Sequence, residues 1–318
     1  MKPKYKTIFG PVPSRRFGRS LGVDLVPLKT CSLDCVFCQL GRTTDKTITR
    51  KEYVPLQSVL EELADWLDSE GNADYITLSG SGEPTLHSRF GEVLQFIASK
   101  TKIPLVLLTN GTLFHLPEVR EAATHADVVK ISISVWDQPC FQYVNRPHPK
   151  LDFGKIIEGI RFFRNEYHGK IWVEVFLIDG VNTIPADVQR IAKLIEGIKP
   201  DRIHLNTAVR PPAEDFVTAL SGRELNKLAP LFHPTAEVIA DFHTNLTQYG
   251  QFNENAIVAM LQRRPCTAEQ ISKAFGMHLN ETFKYLGDLL RTNQVMEVRK
   301  NQTKFYTLVK YARDKAVY

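Results

Sequence analysis

The architecture of this protein is set by Lys29-Thr30-Cys31-Ser32-Leu33-Asp34-Cys35-Val36-Phe37-Cys38-Gln39-Leu40-Gly41-Arg42, which spaces three cysteines as C-x3-C-x2-C. Pro27 before the stretch and Gly41 within its end indicate a loop. Thiolates are soft ligands that favour iron–sulfur clusters, zinc or copper(I). A four-iron cluster normally takes four thiolates, and this loop supplies three. The spacing therefore predicts a [4Fe-4S] cluster with one iron open to another ligand.

A structural zinc site or a disulfide is the competing interpretation. Zinc sites of this kind need four ligands, usually in two close pairs separated by a dozen or more residues. Cys140 and Cys266 each stand alone, and the nearest downstream histidine is His87. A disulfide within the loop would leave an odd thiol. Both alternatives fit the spacing less well than the cluster does.

The cysteine stretch resembles the signature of the radical S-adenosylmethionine (SAM) superfamily, including the aromatic Phe37 directly before the third cysteine. In that family SAM chelates the open iron, and an electron from the cluster cleaves it to a 5′-deoxyadenosyl radical that abstracts hydrogen from substrate. The resemblance implies a [4Fe-4S] cluster on Cys31, Cys35 and Cys38, SAM as cofactor with Phe37 beside it, and an electron donor such as flavodoxin or ferredoxin. The protein would then orient and shield the chemistry of its cofactors.

Composition and charge narrow the class of protein. The 318 residues are 43% hydrophobic and 24% charged, which is ordinary for a soluble globular protein. No stretch of about eighteen apolar residues exists, which excludes a membrane-spanning helix. The start, Met1–Lys6, lacks the apolar core of a secretion signal, and with a reduced cysteine cluster this predicts the cytoplasm.

The charge is unevenly distributed along the chain. Residues 1–20 carry six basic and no acidic side chains, residues 251–318 carry eleven basic and six acidic ones, and the middle is acidic. This asymmetry permits an anionic partner such as RNA, and Arg15, Arg16 and Arg19 could clamp an anionic group. A basic surface arm and solvated charged faces explain the same pattern equally well.

Helix-like and strand-like segments alternate after an extended loop over 7–20 and a first strand over Leu21–Val26. The predicted helices cover Val59–Ser69, 88–100, 116–124, 153–167 and 185–197, and the predicted strands Tyr75–Ser79, Pro104–Leu108, Val128–Val135, Ile171–Ile178 and Arg202–Asn206. Strands alternating with helices imply a parallel sheet. Six units rather than eight predict an α/β fold, a partial (β/α)6 TIM-like barrel over residues 1–210, as in the family resembled.

Active sites in such barrels lie at the carboxyl ends of the strands. A glycine-rich turn follows the second strand, at that end. It reads Ser79-Gly80-Ser81-Gly82-Glu83-Pro84-Thr85, and it resembles the family segment that grips the methionine end of SAM. The resemblance places Gly80, Ser81 and Gly82 at the glycine-rich positions and Glu83 against the amino group of SAM. The family more often has adjacent glycines where Ser81 interrupts them. A tight turn without a ligand is the alternative.

Further polar candidates follow the later strands. Asn110, in a Thr-Asn-Gly segment that resembles one recurrent in the family, either shapes the cofactor pocket or caps the next helix. Ser132 and Ser134 share one face of a strand, where they either bond the cofactor or are satisfied core residues. The segment Leu177–Asn182 matches the place where the family packs adenine. Four more candidates near the substrate, with plain loop roles as the alternative, are Asn145, Arg146, Asn206 and Arg210.

Cys140 remains outside these groups. It either donates hydrogen to a radical or is an inert packing residue, which is the usual role of a buried lone cysteine.

The C-terminal part changes pattern. Residues 211–250 are predicted to form a helical connector, with a helix starting at Ser221, and residues 251–318 a separate domain. Helices over 254–263, 268–275 (capped by Thr267) and 280–292, followed by a hairpin of Val295–Arg299 and Lys304–Leu308, resemble a winged-helix domain. Such domains contact phosphates, bind peptides or cover neighbouring domains. Basic side chains in the third helix and the hairpin are Lys284, Arg291, Arg299, Lys300 and Lys304.

Within the superfamily, the run from Gly10 through Arg42 resembles the group related to wyosine synthases, which modify tRNA. Those synthases carry a second cysteine-bound cluster, which two scattered cysteines cannot build. The leading hypothesis is a one-cluster radical SAM enzyme acting on an unidentified substrate, with tRNA as a candidate. A peptide or small metabolite is the alternative substrate. An iron–sulfur redox regulator that binds DNA is the rival class, although the cofactor-binding turn argues against a pure sensor.

Overall fold

The computed structural model describes residues 5–14, 16–69, 71–239, 257–258, 260–261, 264–300 and 303–309. Arg15, the side chain of Lys300 and most of the predicted helix over 254–263 lie outside this description.

None of the helices in the described ranges combines the length and the apolar character needed to span a bilayer.

Strands and helices alternate along the described chain. The strands are β1 (Ile8–Ser14), β2 (Gly18–Val23), β3 (Thr30–Cys31), β4 (Asp45–Lys46), β5 (Tyr75–Leu78), β6 (Leu105–Thr109), β7 (Val128–Ser132), β8 (Lys170–Phe176), β9 (Arg202–Asn206), β10 (Glu237–Val238), β11 (Val295–Lys300) and β12 (Thr303–Leu308). The helices are α1 (Leu56–Ser69), α2 (Phe90–Lys100), α3 (Pro117–Ala123), α4 (Gln138–Asn145), α5 (Phe153–Glu166), α6 (Pro185–Glu196), α7 (Gly222–Leu228), α8 (Ala268–Phe275) and α9 (Leu279–Arg291).

One large sheet organises the described residues, with strand order β1-β2-β5-β6-β7-β8-β9-β10. Strand β1 runs antiparallel to β2, and every later neighbour pair in the sheet is parallel. Strands β1 and β10 are the two edges, so the sheet does not close on itself. The α/β class and the parallel order confirm the predicted fold class and are consistent with a partial TIM-like barrel.

Most predicted elements lie within three residues of the observed ones, and β9 has the predicted bounds. The prediction of an extended loop over 7–20 was wrong, because β1 and β2 form a hairpin there. Proline is compatible with an edge strand, and β1 is an edge strand that contains Pro11 and Pro13. Helix α4 and strand β10 were not predicted.

The core follows from the amphipathic helices. In α1, for example, Leu56, Val59, Leu63 and Trp66 recur every three to four residues and are all buried. Inside the barrel, Phe17 from the β1–β2 hairpin stacks on Trp172 at 5.2 Å between ring centroids and meets Tyr75 edge-on at 5.3 Å. The aromatic side chain of the hairpin therefore fills the amino end of the barrel, and a functional site is expected at the carboxyl end.

The C-terminal unit contains α8, α9 and the antiparallel β11–β12 hairpin. A capping box of Thr267 and Gln270 starts α8, as predicted for Thr267, and Ser221 with Glu224 likewise starts α7. The unit joins the barrel at β1, where Arg264 Nη2 donates to the Pro13 carbonyl at 3.1 Å. The winged-helix identity of this unit and the domain boundaries at 210 and 250 stay predictions.

We expect Gly82→Ala to destabilise the barrel. A Cβ at Gly82 would lie 1.7 Å from the Thr30 carbonyl oxygen, so the backbone that carries Cys31 would have to move, at a cost of about 1–3 kcal/mol. Gly287→Ala is the matched control, because nothing lies within 4 Å of its Cβ and it is inside α9. This control should be stabilised by about 0.5–1 kcal/mol. Urea unfolding measures both changes, and equal stability of the two variants would contradict the close packing at Gly82.

Candidate active site

The cysteine loop lies between β2 and α1, at the carboxyl end of the parallel strands. On one side it is bonded to the glycine-rich turn, through Lys29 N to Ser81 O at 2.7 Å and Glu83 N to Thr30 O at 3.1 Å. On the other side Val36 N donates to Val144 O at 2.9 Å, at the end of α4. Backbone groups of two neighbouring segments therefore fix the loop.

Two of the three thiols accept hydrogen bonds from amides. Asn110 Nδ2 donates to Cys31 Sγ at 3.5 Å, and Asn145 Nδ2 donates to Cys35 Sγ at 3.2 Å. Burial, followed by the Glu83 carboxylate, raises the pKa of Cys31 to about 12. Burial, followed by the Cys38 and Cys31 sulfurs, raises the pKa of Cys35 well above its usual value. The metal-free thiols of Cys31 and Cys35 are therefore protonated at neutral pH, and metal binding must release these protons.

The donor set fits an iron–sulfur cluster better than a single ion. Among the described residues, no three His, Cys, Asp or Glu side chains converge closely enough to hold one metal ion. In a cubane cluster each thiolate binds a different iron, so the three sulfurs need not meet at one point. The amide donors from Asn110 and Asn145 supply the sulfur hydrogen bonds that iron–sulfur sites use.

The glycine-rich turn is fixed by a carboxylate that sequence analysis did not single out. Asp24, at the end of β2, accepts a hydrogen bond from Ser81 N at 3.0 Å and a second from the Ser81 hydroxyl. Gly80 has a φ of 143°, and a Cβ there would clash with the Asp24 carboxylate at 2.5 Å. The close contact with Asp24 therefore requires glycine at position 80.

Glu83 connects this turn to the end of β6. Its Oε1 accepts hydrogen bonds from Thr85 N at 3.1 Å, Thr85 Oγ1 at 2.6 Å and Thr109 Oγ1 at 2.6 Å, and its Oε2 accepts one from Asn110 N at 2.8 Å. Burial raises the pKa of Glu83, while these four hydrogen bonds act in the opposite direction. A contact between Glu83 and the amino group of SAM stays a prediction.

Asn110 lies between the turn and the cysteine loop. Its Nδ2 also donates to Ser32 Oγ at 2.9 Å, and its Oδ1 accepts hydrogen bonds from Thr112 N and Thr112 Oγ1 at 3.0 and 2.7 Å. Leu116 is the residue that precedes α3. Asn110 therefore braces the cysteine loop and its own turn instead of capping the helix.

The remaining predicted residues lie near the carboxyl ends of β7, β8 and β9 or contact them. The Phe37 ring stacks on Phe176 with 4.3 Å between centroids, which joins the cysteine loop to β8. Asn206 Nδ2 donates to Glu174 Oε1 at 3.2 Å. Ser132 is exposed, whereas Ser134 is buried and its hydroxyl accepts from Phe176 N at 2.9 Å. Their roles toward SAM stay predictions.

Arg210 and Cys140 belong to two segments that contact the cysteine loop, the segment after β9 and helix α4. Arg210 Nη1 donates to Gln39 Oε1 at 3.1 Å, which ties the segment after β9 to that loop. Cys140 lies in α4, and burial raises its pKa to about 11, so its thiol is protonated at neutral pH and is not a thiolate nucleophile. Its role as a hydrogen donor or as a packing residue stays a prediction. Reasoning from sequence missed Asp24, and it did not place Asn145 on a sulfur, because both contacts join residues far apart in the chain.

We expect Asn145→Leu to lower the reduction potential of the reconstituted cluster. Loss of an N–H donor to Cys35 removes a dipole that favours the more negative, reduced state, with an effect on the order of tens of millivolts. Leucine has the same number of side-chain heavy atoms in the same branched arrangement, so the shape at position 145 is kept. Asn226→Leu, whose amide donates to Gly222 O on α7, is the matched control. Potentiometric titration followed by electron paramagnetic resonance measures the shift, and equal potentials in the two variants would contradict it.

Comparison with known proteins agrees with this geometry. The profile of the radical SAM superfamily matches residues 25–220. The chain is 33% identical over 310 residues to a UPF0026 protein of Helicobacter pylori strain J99, covering 96% of this chain and 98% of that protein. It is 33% identical over 302 residues to the GTPase Obg of Brachyspira hyodysenteriae, covering 93% of this chain but only 44% of that longer protein.

A more distant relative and two solved structures complete the comparison. The chain is 23% identical over 197 residues to the dual-specificity RNA methyltransferase RlmN of Caulobacter vibrioides, covering 58% of this chain and 48% of that protein. The structure of TYW1 with a lysine-pyruvate adduct superposes with a TM-score of 0.51, at 17% identity, over 72% of this chain and 76% of that one. A radical SAM methyltransferase from Sphaerobacter thermophilus gives a TM-score of 0.53, at 16% identity, over 72% and 68%.

The two structural matches show a shared fold, and the profile and the UPF0026 relative show the family. The chain belongs to the radical SAM superfamily of enzymes, whose cofactors are a [4Fe-4S] cluster and S-adenosylmethionine, and within it to the UPF0026 proteins.

Proposed function

We propose that this radical SAM enzyme modifies a nucleoside of RNA, with tRNA as the first candidate. The observation that carries the proposal is a group of solvent-accessible aromatic side chains beside the cysteine loop, which we call the aromatic rim: Trp136, which is partly buried, and Tyr143 and Phe216, which are exposed.

The aromatic rim borders an open cleft of about 380 Å³ at the carboxyl end of the barrel. Trp136 and Tyr143 line the cleft, and the Arg190 guanidinium lies 5.0 Å from the Trp136 ring centroid, where Asp137 holds it at 2.9 Å. Tyr143 is 58% exposed and Phe216 is 44% exposed, with their ring centroids 6.2 Å apart.

The rim is continuous with the cysteine loop. Glu214 N, two residues before Phe216, donates to Val36 O at 3.0 Å, and α4, which carries Tyr143, bonds the same loop through Val144 O. A ligand on the rim would therefore lie at the entrance to the site where the cofactors bind.

Exposed aromatic rings and guanidinium planes are the surfaces on which unstacked RNA bases pack. In the sequence the two ends of the chain are basic, which permits a large anionic ligand. The name of the Caulobacter relative, an RNA methyltransferase, agrees with this substrate class. A peptide or a small metabolite would stack on fewer of the aromatic rings of the rim than the bases of an RNA would.

Different residues of this chain would have different roles in catalysis. Cys31, Cys35 and Cys38 would hold the cluster, and the backbone of the glycine-rich turn would approach SAM closely. When bound, these cofactors supply a 5′-deoxyadenosyl radical that abstracts hydrogen from the substrate. Phe37, stacked on Phe176, covers one side of the cysteine loop with apolar surface and limits the access of water.

RNA should stimulate release of 5′-deoxyadenosine by the anaerobically reconstituted enzyme with dithionite and SAM. The three arms are tRNA, a mixture of peptides and no addition, and liquid chromatography quantifies the product. A DNA-binding redox regulator would release none in any arm. Stimulation by peptides alone would overturn the RNA proposal.

We expect Trp136→Ala to weaken RNA binding by about tenfold, because stacking of one base on an aromatic ring contributes about 1–3 kcal/mol. Phe162→Ala is the matched control, since Phe162 is a 49% exposed aromatic residue on α5, outside the rim. Fluorescence anisotropy with labelled tRNA measures both affinities. Equal affinities of the two variants would remove the rim from the binding site.

A further inference from the structure

A second polar group lies inside the barrel, nearer its amino end than the cysteine loop. We call it the floor cluster, and it consists of Arg16, Lys130, Trp172, Glu174 and His204. Lys130, Trp172, Glu174 and His204 come from β7, β8 and β9, and Arg16 comes from the turn of the β1–β2 hairpin.

The cations of the floor cluster share one carboxylate oxygen. Arg16 Nη2 and Lys130 Nζ both contact Oε2 of Glu174. Burial is the main cause that lowers the pKa of Arg16 to about 9, and Arg264 is the second cause. Burial, followed by Lys130, Arg16 and Arg202, lowers the pKa of His204 to about 3. His204 is therefore neutral at physiological pH, whereas Arg16 stays charged and shares its counter-charge with a second cation.

Three buried nitrogens of the floor cluster have no hydrogen-bond partner within the described part of the chain: Arg16 Nε, Trp172 Nε1 and His204 Nδ1. His204 is 2% exposed and Trp172 is 5% exposed, and their rings meet edge-on at 5.3 Å between centroids. Buried N–H groups without an acceptor are rare, because leaving them unsatisfied is costly. Arg16 Nε and Trp172 Nε1 are donors, and His204 Nδ1 is a third donor in the Nδ1–H tautomer of its neutral ring. In that tautomer all three nitrogens require an acceptor, and the neighbouring cations favour one with negative charge.

We propose that the floor cluster binds an oxyanion, the phosphate or carboxylate group of a small ligand, through Arg16, Trp172 and His204. Oxygen acceptors of such a group would satisfy the three nitrogens and complete the counter-charge of Arg16. The inference is independent of the RNA substrate, because Arg16, Trp172 and His204 precede the carboxyl ends of the strands, which carry the cysteine loop and the aromatic rim.

The open edge of the sheet gives the oxyanion a route to this site. The edge strands β1 and β10 are not paired with each other, and Glu237 on β10 lies beside His204, with 3.8 Å between Oε2 and Nε2. Arg202 and Glu237 have side chains that are 53% and 54% exposed, and Arg202 also lies over the Trp172 ring at 5.1 Å. These two half-exposed side chains place solvent next to the floor cluster.

Isothermal titration calorimetry of the full chain with sodium phosphate, and separately with sodium acetate, tests the site. We expect one anion to bind per chain. Tighter binding of phosphate would identify a phosphoryl ligand, and tighter binding of acetate a carboxylate ligand. Absence of binding by both anions would overturn the proposal.

Two substitutions link the binding to the floor cluster. Arg16→Gln should weaken binding by about tenfold or more, since it removes a charge-assisted hydrogen bond. Trp172→Phe should weaken it about fivefold while keeping the stack on Phe17. Arg19→Gln is the matched control, because Arg19 lies in the same hairpin and its guanidinium donates to Asn72 O at 3.0 Å.

A crystal soaked in selenate locates the anion directly, with an anomalous peak expected between Arg16 and His204. The proposal fails if Arg16→Gln and Arg19→Gln bind phosphate equally, or if the selenate peak lies elsewhere. Circular dichroism of each variant separates a lost site from a lost fold.

Discussion

Hydrogen bonds from other segments hold the cysteine loop in place, and the carboxyl end of the barrel is arranged around that loop. Short loops seldom keep several buried sulfurs in fixed positions by themselves, because ordering each residue costs conformational entropy. Here Ser81 O, Glu83 N and Val144 O bind the loop backbone from two sides, and Asn110 and Asn145 donate to two sulfurs. The donor geometry is therefore set before any metal arrives, which lowers the cost of binding a cluster.

Two buried carboxylates extend this arrangement into the barrel. Acidic side chains are rarely buried unless paired or hydrogen-bonded. Asp24 bonds the Ser81 backbone and hydroxyl, and Glu83 accepts four hydrogen bonds from the turn and the end of β6. Together they fix the glycine-rich turn in position and join β2, β5 and β6 at one end. Rigidity near the cofactors thus comes from polar contacts, whereas the outer layer is held by apolar helix faces.

Local patterns could be predicted from the sequence, and contacts between distant residues could not. The alternation of helices and strands follows from apolar periodicity, so β9 was predicted to the residue. The three cysteines predicted to hold the cluster have a characteristic spacing within eight residues. In contrast, Asn145 contacts a sulfur 110 residues away and Asp24 a serine 57 residues away. The residues around a single asparagine or aspartate in a loop do not indicate such a distant partner. Pro11 and Pro13 favour a loop over a strand, so the β1–β2 hairpin was not predicted.

The attachment of the C-terminal unit links it to the amino end of the barrel. Pro13, which accepts the Arg264 hydrogen bond, pairs with Arg19 at the start of β2, and Val12 packs against the core of the C-terminal unit. The same hairpin turn carries Arg16 into the floor cluster, where Arg264 is close enough to lower the pKa of Arg16. A ligand or partner that moved the C-terminal unit would therefore act first on the charge balance around Arg16.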